Sequence, residues 1–135
     1  KLHQLTLATA TALALGIGGA MAANAPGVTD TEITIGNTNP YSGPASSYSV
    51  IGKAIGACWN WVNDNGGING RKIKWISYDD GYSPPKTKEQ FRKLIERDKV
   101  AFIFQSLGTP TNSAVHKYMN KKKVPHLFVA TGATK

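Results

Sequence analysis

The sequence predicts an α/β protein built on a doubly wound parallel sheet. Three observations carry that expectation. Short β-branched or apolar segments alternate with stretches whose apolar residues recur at helical spacing. From residue 31 onward the order reads βαβαβαβ, the pattern of a parallel sheet covered on both faces. Two of the helices begin with the same device, a hydroxyl residue followed by proline, at Ser83-Pro84 and Thr109-Pro110.

The chain has 135 residues, 41% of them hydrophobic, which is ordinary for a folded protein and argues against disorder. The first 25 residues stand apart. Lys1 and His3 give a thin basic start, and residues 4–29 hold no charged side chain. Leu5 to Ile17 is an apolar run of leucine, alanine and threonine, and Ala20-Met21-Ala22 and Ala23-Asn24-Ala25 are both A-x-A patterns. This is the order of a secretory signal peptide over residues 1–25. The apolar run is too short to span a bilayer, which takes about 20 residues. No cysteine stands near the cleavage patterns, so a lipid anchor is not expected. The folded part is expected to begin near residue 26.

Thr31 to Gly36 alternates and is β-branched, so it reads as the first strand. Ser46 to Asn63 reads as a helix with an inward stripe of Ile51, Ala54, Ile55, Cys58, Trp61 and Val62. On that stripe Cys58, the only cysteine, is expected to be a buried structural thiol. The turn-rich run from Asn63 to Gly70 ends the helix. Lys72 to Tyr78 is the second strand. Ser83 caps the next helix, whose inner face is Phe91, Leu94 and Ile95. Val100 to Gln105 is a third strand, Thr109 caps a third helix with Ala114, Val115, Tyr118 and Met119 facing inward, and Pro125 to Ala130 is a fourth strand.

The formal net charge is +8. The basic residues are dispersed: Arg71, Lys72 and Lys74 near one strand, Lys86, Lys88, Arg92 and Lys93 on one helix, Lys121 to Lys123 at the end of another. Dispersed cations solvate helix faces, and those in a last turn complement the helix dipole. Nucleic acid is therefore not an expected partner.

The turn after the first strand reads Gly36-Asn37-Thr38-Asn39-Pro40-Tyr41-Ser42-Gly43, without the dinucleotide fingerprint. No P-loop, nucleophile elbow or His-Glu-x-x-His motif is present, and His3, His116 and His126 lack metal spacing. No catalytic residue, metal site or cofactor is expected, and the protein is not read as an enzyme. Asp79-Asp80 reads as a polar strand exit. In open α/β sheets ligands bind beyond the carboxyl ends of the strands. Three segments leave strands there: 37–48, 106–112 and 130–135, all rich in Gly, Ser, Thr and Asn. The middle one runs directly into a helix start, where free amides and the dipole favour a carboxylate or phosphate.

These segments resemble a known family. Asn39-Pro40-Tyr41-Ser42-Gly43-Pro44, Asn65-Gly66-Gly67-Ile68-Asn69-Gly70, Tyr78-Asp79-Asp80-Gly81-Tyr82, Leu107-Gly108-Thr109-Pro110-Thr111-Asn112 and Ala130-Thr131-Gly132-Ala133-Thr134 resemble, in that order, type I periplasmic binding proteins. The likeness is nearest to the branched-chain amino-acid (Leu/Ile/Val) class of ABC-transporter substrate-binding proteins. It implies that residues 26–135 form a truncated N-terminal lobe, the second lobe being absent from this chain. It implies a periplasmic protein that captures a small solute between two lobes and delivers it to an ABC permease in the inner membrane. By position in the family, Ser106, Leu107, Gly108 and Thr109 after strand three, and Ala130, Thr131 and Gly132 after strand four, would hold a ligand carboxylate, with Tyr48 lining the cleft.

Three departures bear on the ligand. Gly108 stands where a serine is often used for the carboxylate, Tyr82 and Leu107 stand where some members carry a disulfide, and the second lobe is not present. A branched-chain amino acid, an aromatic acid or a short amide all remain open as solutes. A lone half-cleft is expected to bind nothing measurably, because a ligand between two lobes makes roughly half its contacts with each. A ligand-sensing receptor or regulator domain of the same fold is the alternative, distinguished by a fused signalling domain. An enzyme would need a catalytic pair in the rest of the gene.

Overall fold

The computed structural model describes residues 25–133. The signal peptide expected over residues 1–25 lies, except for its last alanine, outside the described residues. The elements are β1 (Glu32–Asn39), a 3-10 turn (Ser46–Tyr48), α1 (Ser49–Asp64), β2 (Lys72–Asp79), α2 (Pro84–Arg92) prolonged by a π turn (Lys93–Arg97), β3 (Phe102–Phe104), α3 (Thr109–Lys122) and β4 (His126–Leu127). The alternating order expected from the sequence is present.

The four strands form one parallel sheet in the order β2-β1-β3-β4. β1 and β2 align over eight residues, from Glu32 opposite Lys72 to Asn39 opposite Asp79. A consequence of the period-two alternation is a strict division of labour between faces. Ile76, Tyr78 and Ile103 point to the side covered by α2 and α3, where Phe91, Leu94, Val100, Val115 and Met119 complete the core. Trp75 and Phe104 point to the other side and meet Trp59 of α1, with Trp59 and Phe104 ring centroids 5.7 Å apart and Trp75 and Phe104 6.3 Å apart, both edge-on. The sheet is thus covered from both sides, as a doubly wound fold requires.

Four expectations are corrected. First, α1 is rotated from its predicted stripe. Cys58 and Ala54 are exposed, and Trp61 keeps 66% of its surface in solvent. Gly52, Gly56, Trp59 and Asn63 face the sheet instead. A side chain at 52 would overlap the Tyr41 hydroxyl and the Asn39 amide, and one at 56 would touch the Trp75 ring. The sheet's bulk on this side lies in its own aromatics, so the helix approaches through glycines, which a count of apolar residues leaves out. Asn63 anchors the far end by pairing with the Ile73 backbone, accepting from its N–H at 2.7 Å and donating to its carbonyl at 2.8 Å.

Second, neither hydroxyl cap acts as one. Ser83 holds the N-cap position of α2 with no side-chain bond to the helix. The N-cap of α3 is Gly108, and Thr109 is already helical. Third, β3 is confined to Phe102–Phe104, because Gln105 takes a positive φ of 50°. Fourth, β4 covers only His126–Leu127, because Phe128 turns out at φ 54°. A left-handed residue leaves the strand, whatever its β-propensity.

Candidate functional site

Beyond β3 and β4 the parallel pairing resumes at one point, a bridge between Leu107 and Ala130. The Gly108 N–H donates to the Ala130 carbonyl at 2.9 Å, and the Ala130 N–H to the Ser106 carbonyl at 3.0 Å. The hydroxyls of Thr109 and Thr131 lie 2.5 Å apart. These bonds bind the exits of β3 and β4 into one rim.

The start of α3 is shaped by its side chains turning inward. The Gly108 carbonyl accepts from the Asn112 N–H at 3.1 Å, the Asn112 Nδ2 at 2.6 Å and the Thr111 hydroxyl at 2.9 Å. It therefore points into the helix and away from the rim. Pro110 has no N–H, and the amides of Thr109 and Thr111 have no backbone acceptor among the described residues. A first turn with unpaired donors and the positive end of the dipole attracts an anion or a carbonyl oxygen.

A cavity of about 340 Å³ opens at this rim. Its walls include Leu107, Gly108 and Thr109 from the β3 exit, Ala130, Thr131 and Gly132 from the β4 exit, and Tyr48 from the turn before α1. Seven of the eight residues expected at the site are thereby gathered around one space. The eighth, Ser106, is not. It is 1% exposed and lies beneath the rim, its Oγ 2.5 Å from Asn112 Oδ1 and 2.5 Å from His126 Nε2. Asn112 uses its amide nitrogen on the Ser106 and Gly108 carbonyls, so its oxygen is the acceptor for the Ser106 hydroxyl. His126 then donates from Nε2 to Ser106. Burial pushes the His126 pKa down to about 4, so the ring is neutral across the physiological range. Ser106 supports the floor of the cavity and offers nothing to its interior.

Two further residues line the cavity that the sequence did not single out for it, Ile51 and Tyr82. Ile51 had read as helix interior. Tyr82 follows Gly81 in a turn and has a φ of 60°, rare for an aromatic residue. It is held there by Asp80, which is fully buried, accepts the Tyr82 N–H at 2.9 Å and lies 3.0 Å from the Thr87 hydroxyl. The adjacent sequence signal was Asp79-Asp80-Gly81, a turn run that fixes where the next side chain goes.

Asp79 ties the β2 exit to the β1 exit. Its Oδ1 accepts from the N–H groups of Tyr41 at 2.9 Å, Ser42 at 3.1 Å and Gly81 at 3.0 Å. Its Oδ2 accepts from the Ser42 hydroxyl at 2.5 Å and Lys86 Nζ at 2.8 Å. Burial raises its pKa, but bonds from Lys86, from the Ser42 side chain and from the Gly81 and Ser42 amides outweigh that and hold the carboxyl well below the usual carboxylate range. Below it, Tyr41 donates to Ser77, Ser77 to Asn37 Oδ1 at 2.7 Å, and Asn37 to the Phe104 carbonyl at 2.8 Å. Both aspartates are thus occupied in shaping loops. Among the described residues no three His, Cys, Asp or Glu side chains converge as metal ligands would.

The family model described as Periplasmic binding protein matches residues 32–135. A fatty acid ABC transporter substrate-binding protein from Thermomonospora curvata is 32% identical, with a TM-score of 0.66 over 81% of this chain and 27% of its own. A solute binding protein of an ABC transporter from Rhodopseudomonas palustris BisB5, solved with 3,4-dihydroxy benzoic acid, is 30% identical, with a TM-score of 0.65 over 76% of this chain and 28% of its own. A protein from Rhodopirellula baltica SH 1, described as a possible leucine/isoleucine/valine-binding protein, shares the fold at 24% identity, with a TM-score of 0.71 over 84% of this chain and 30% of its own. The chain spans less than a third of the length of each of these proteins. No curated protein matches it.

Proposed function

This chain belongs to the periplasmic binding protein family, and we propose that it forms one lobe of a two-lobed substrate-binding component of an ABC transporter. In this reading the protein is exported to the periplasm by the signal at residues 1–25. It takes up a small solute bearing a carboxylate or amide and presents it to a permease in the inner membrane. The branched-chain amino acids, aromatic acids and short amides are the candidate solutes, and no reaction is catalysed.

The observation that carries the reading is the cavity at the carboxyl edge of the sheet. It joins the unpaired first-turn amide at Thr109, and hydroxyls at Thr109 and Thr131, to a wall of Tyr48, Ile51, Tyr82 and Leu107. A small polar head beside an apolar body is what such a lining accommodates. In this scheme Tyr48, Leu107, Gly108, Thr109, Ala130, Thr131 and Gly132 contact the solute, and Ser106 holds the floor beneath them. The dihydroxybenzoic acid held by the relative from Rhodopseudomonas palustris supports a carboxylate-bearing solute.

The test is thermal unfolding of the full-length gene product against isoleucine, 3,4-dihydroxybenzoic acid and short amides. A ligand present at a hundred times its dissociation constant stabilises by about 2.7 kcal/mol, a shift of several degrees. A folded protein that responds to none of the panel would overturn the reading.

A further inference from the structure

Gly108 is the one residue of the cavity whose backbone forbids a side chain, and a neighbouring side chain fills the space. Its φ is 104°. A Cβ built there would overlap Tyr82 Cε2, stand 2.9 Å from Tyr82 Cζ and 2.7 Å from Thr111 Oγ1. Under 3.0 Å something must shift, here the Tyr82 ring or the buried Thr111 side chain. The Tyr82 backbone is set by its left-handed conformation and by the buried Asp80, which accepts its N–H. Thr111 is buried and bonded to the Gly108 carbonyl.

We propose that Tyr82 is the specificity-determining residue of this cavity. Its ring stands where a side chain at position 108 would stand, so this wall offers an aromatic surface beside bare main chain, and it selects flat aromatic carboxylates over branched aliphatic ones. The inference rests on the solute-binding reading above and names the substrate class of that same site. Three features support the choice. Tyr48 supplies a second aromatic ring to the lining, and Ile51 and Leu107 supply apolar surface. Every lining side chain among the described residues is uncharged, so the walls suit a neutral, flat body. The donor able to meet a carboxylate, the Thr109 amide, sits directly beyond Gly108 on the cavity wall. An aromatic solute touching Tyr82 gains an edge-on or offset ring contact that a branched aliphatic one does not.

The strain at Tyr82 fits the same role. A left-handed aromatic residue persists only where its surroundings over-determine it. Asp80 does so with one oxygen on the Tyr82 N–H and the other facing Thr87 of α2. The backbone that carries the ring is thereby set by the fold before any ligand binds.

The experiment uses the full-length gene product with Tyr82→Ala, Tyr82→Phe, Gly108→Ser and the Tyr82→Ala/Gly108→Ser pair. Calorimetric titration with 3,4-dihydroxybenzoic acid and with isoleucine reads the selectivity. The wild type is expected to prefer the aromatic acid. Tyr82→Ala should weaken that acid on the order of tenfold and isoleucine less than about twofold, while Tyr82→Phe, which keeps the ring, keeps the preference. Equal losses for both probes, or none for either, would overturn the inference and leave the solute-binding reading intact. Binding of neither probe by the wild type would overturn the carboxylate reading and the inference with it. Urea unfolding without ligand reads the steric pairing separately. Gly108→Ser should destabilise the wild type more than it destabilises Tyr82→Ala, and additive effects would refute the pairing.

Discussion

On the side of the sheet covered by α2 and α3, Phe91, Leu94, Ile103 and Val115 are sealed from solvent. On the side covered by α1, Trp59, Trp75 and Phe104 meet edge to edge while Trp61 and Phe128 stand largely in water, Phe128 with 74% of its surface exposed. The first side is a two-helix cover over branched and aromatic side chains. The second is a single helix brought close by glycines over a few large rings. Burial energy is concentrated on one side of the sheet, and close backbone approach governs the other.

The contrast is broken most strongly at its two phenylalanines. Phe91→Ala removes a fully buried ring and should cost roughly 3–5 kcal/mol, whereas Phe128→Ala should change stability by about 0.5 kcal/mol or less. Urea denaturation of the two variants measures the difference directly, and similar midpoints would dissolve the distinction between the sides. Next in size is Gly52→Ala. The added methyl meets the Tyr41 hydroxyl, which is bonded to Ser77, and the fully buried Asn39 amide, so a loss of about 1–3 kcal/mol is expected. A neutral outcome would mean that α1 does not depend on its glycines.

The titration of His126 sharpens the comparison on the buried side, where its ring meets Phe91 at 5.4 Å. Its pKa is lowered on folding from 6.5 to about 4, so between those values the unfolded chain binds the extra proton. Stability is fully present above pH 6.5 and falls as the pH drops towards 4. His126→Asn should flatten that part of a stability profile. Asp79, also depressed on folding, acts lower down. Its contribution is complete above 3.8, its unfolded value, and is lost as the pH falls further. Cys58 gives the smallest effect. Exposed on the outer side of α1, it should react with a thiol reagent at the rate of an unfolded control, and Cys58→Ser should leave the melting temperature unchanged. Protection of the thiol in the native protein would restore the stripe that the sequence predicted.

That stripe marks where periodicity stops being informative. Strand and helix order was legible because apolar spacing reports which residues seek burial, and the α2 and α3 side was built by that rule: Phe91, Leu94, Val115 and Met119 were all assigned to the interior correctly. On α1 the sheet is met by Gly52, Gly56, Trp59 and Asn63, and the two glycines carry no apolar signal. The ends of β3 and β4 were misplaced for a different reason. Gln105 and Phe128 adopt positive φ without being glycine, and nothing in their chemistry announces it. Around the cavity, the three strand exits were legible because exits at one sheet edge converge by topology, and the family resemblance named within them the seven residues that the structure gathers around one space. Tyr82 escaped because its placement depends on Asp80 and on the missing side chain of Gly108, a relation between loops 26 residues apart in sequence.

Asp79 carries a consequence for the order in which the molecule assembles. Its partners Tyr41 and Ser42 lie 38 and 37 residues earlier in the chain. Closing a loop of that length costs entropy that no local contact repays, so these bonds form only after β1 and β2 have zipped into register. The junction of the β1 and β2 exits is therefore a late product of folding. By the same reasoning it is an early site of opening, with amides at Tyr41 and Ser42 that exchange hydrogen sooner than those of the strands beneath them.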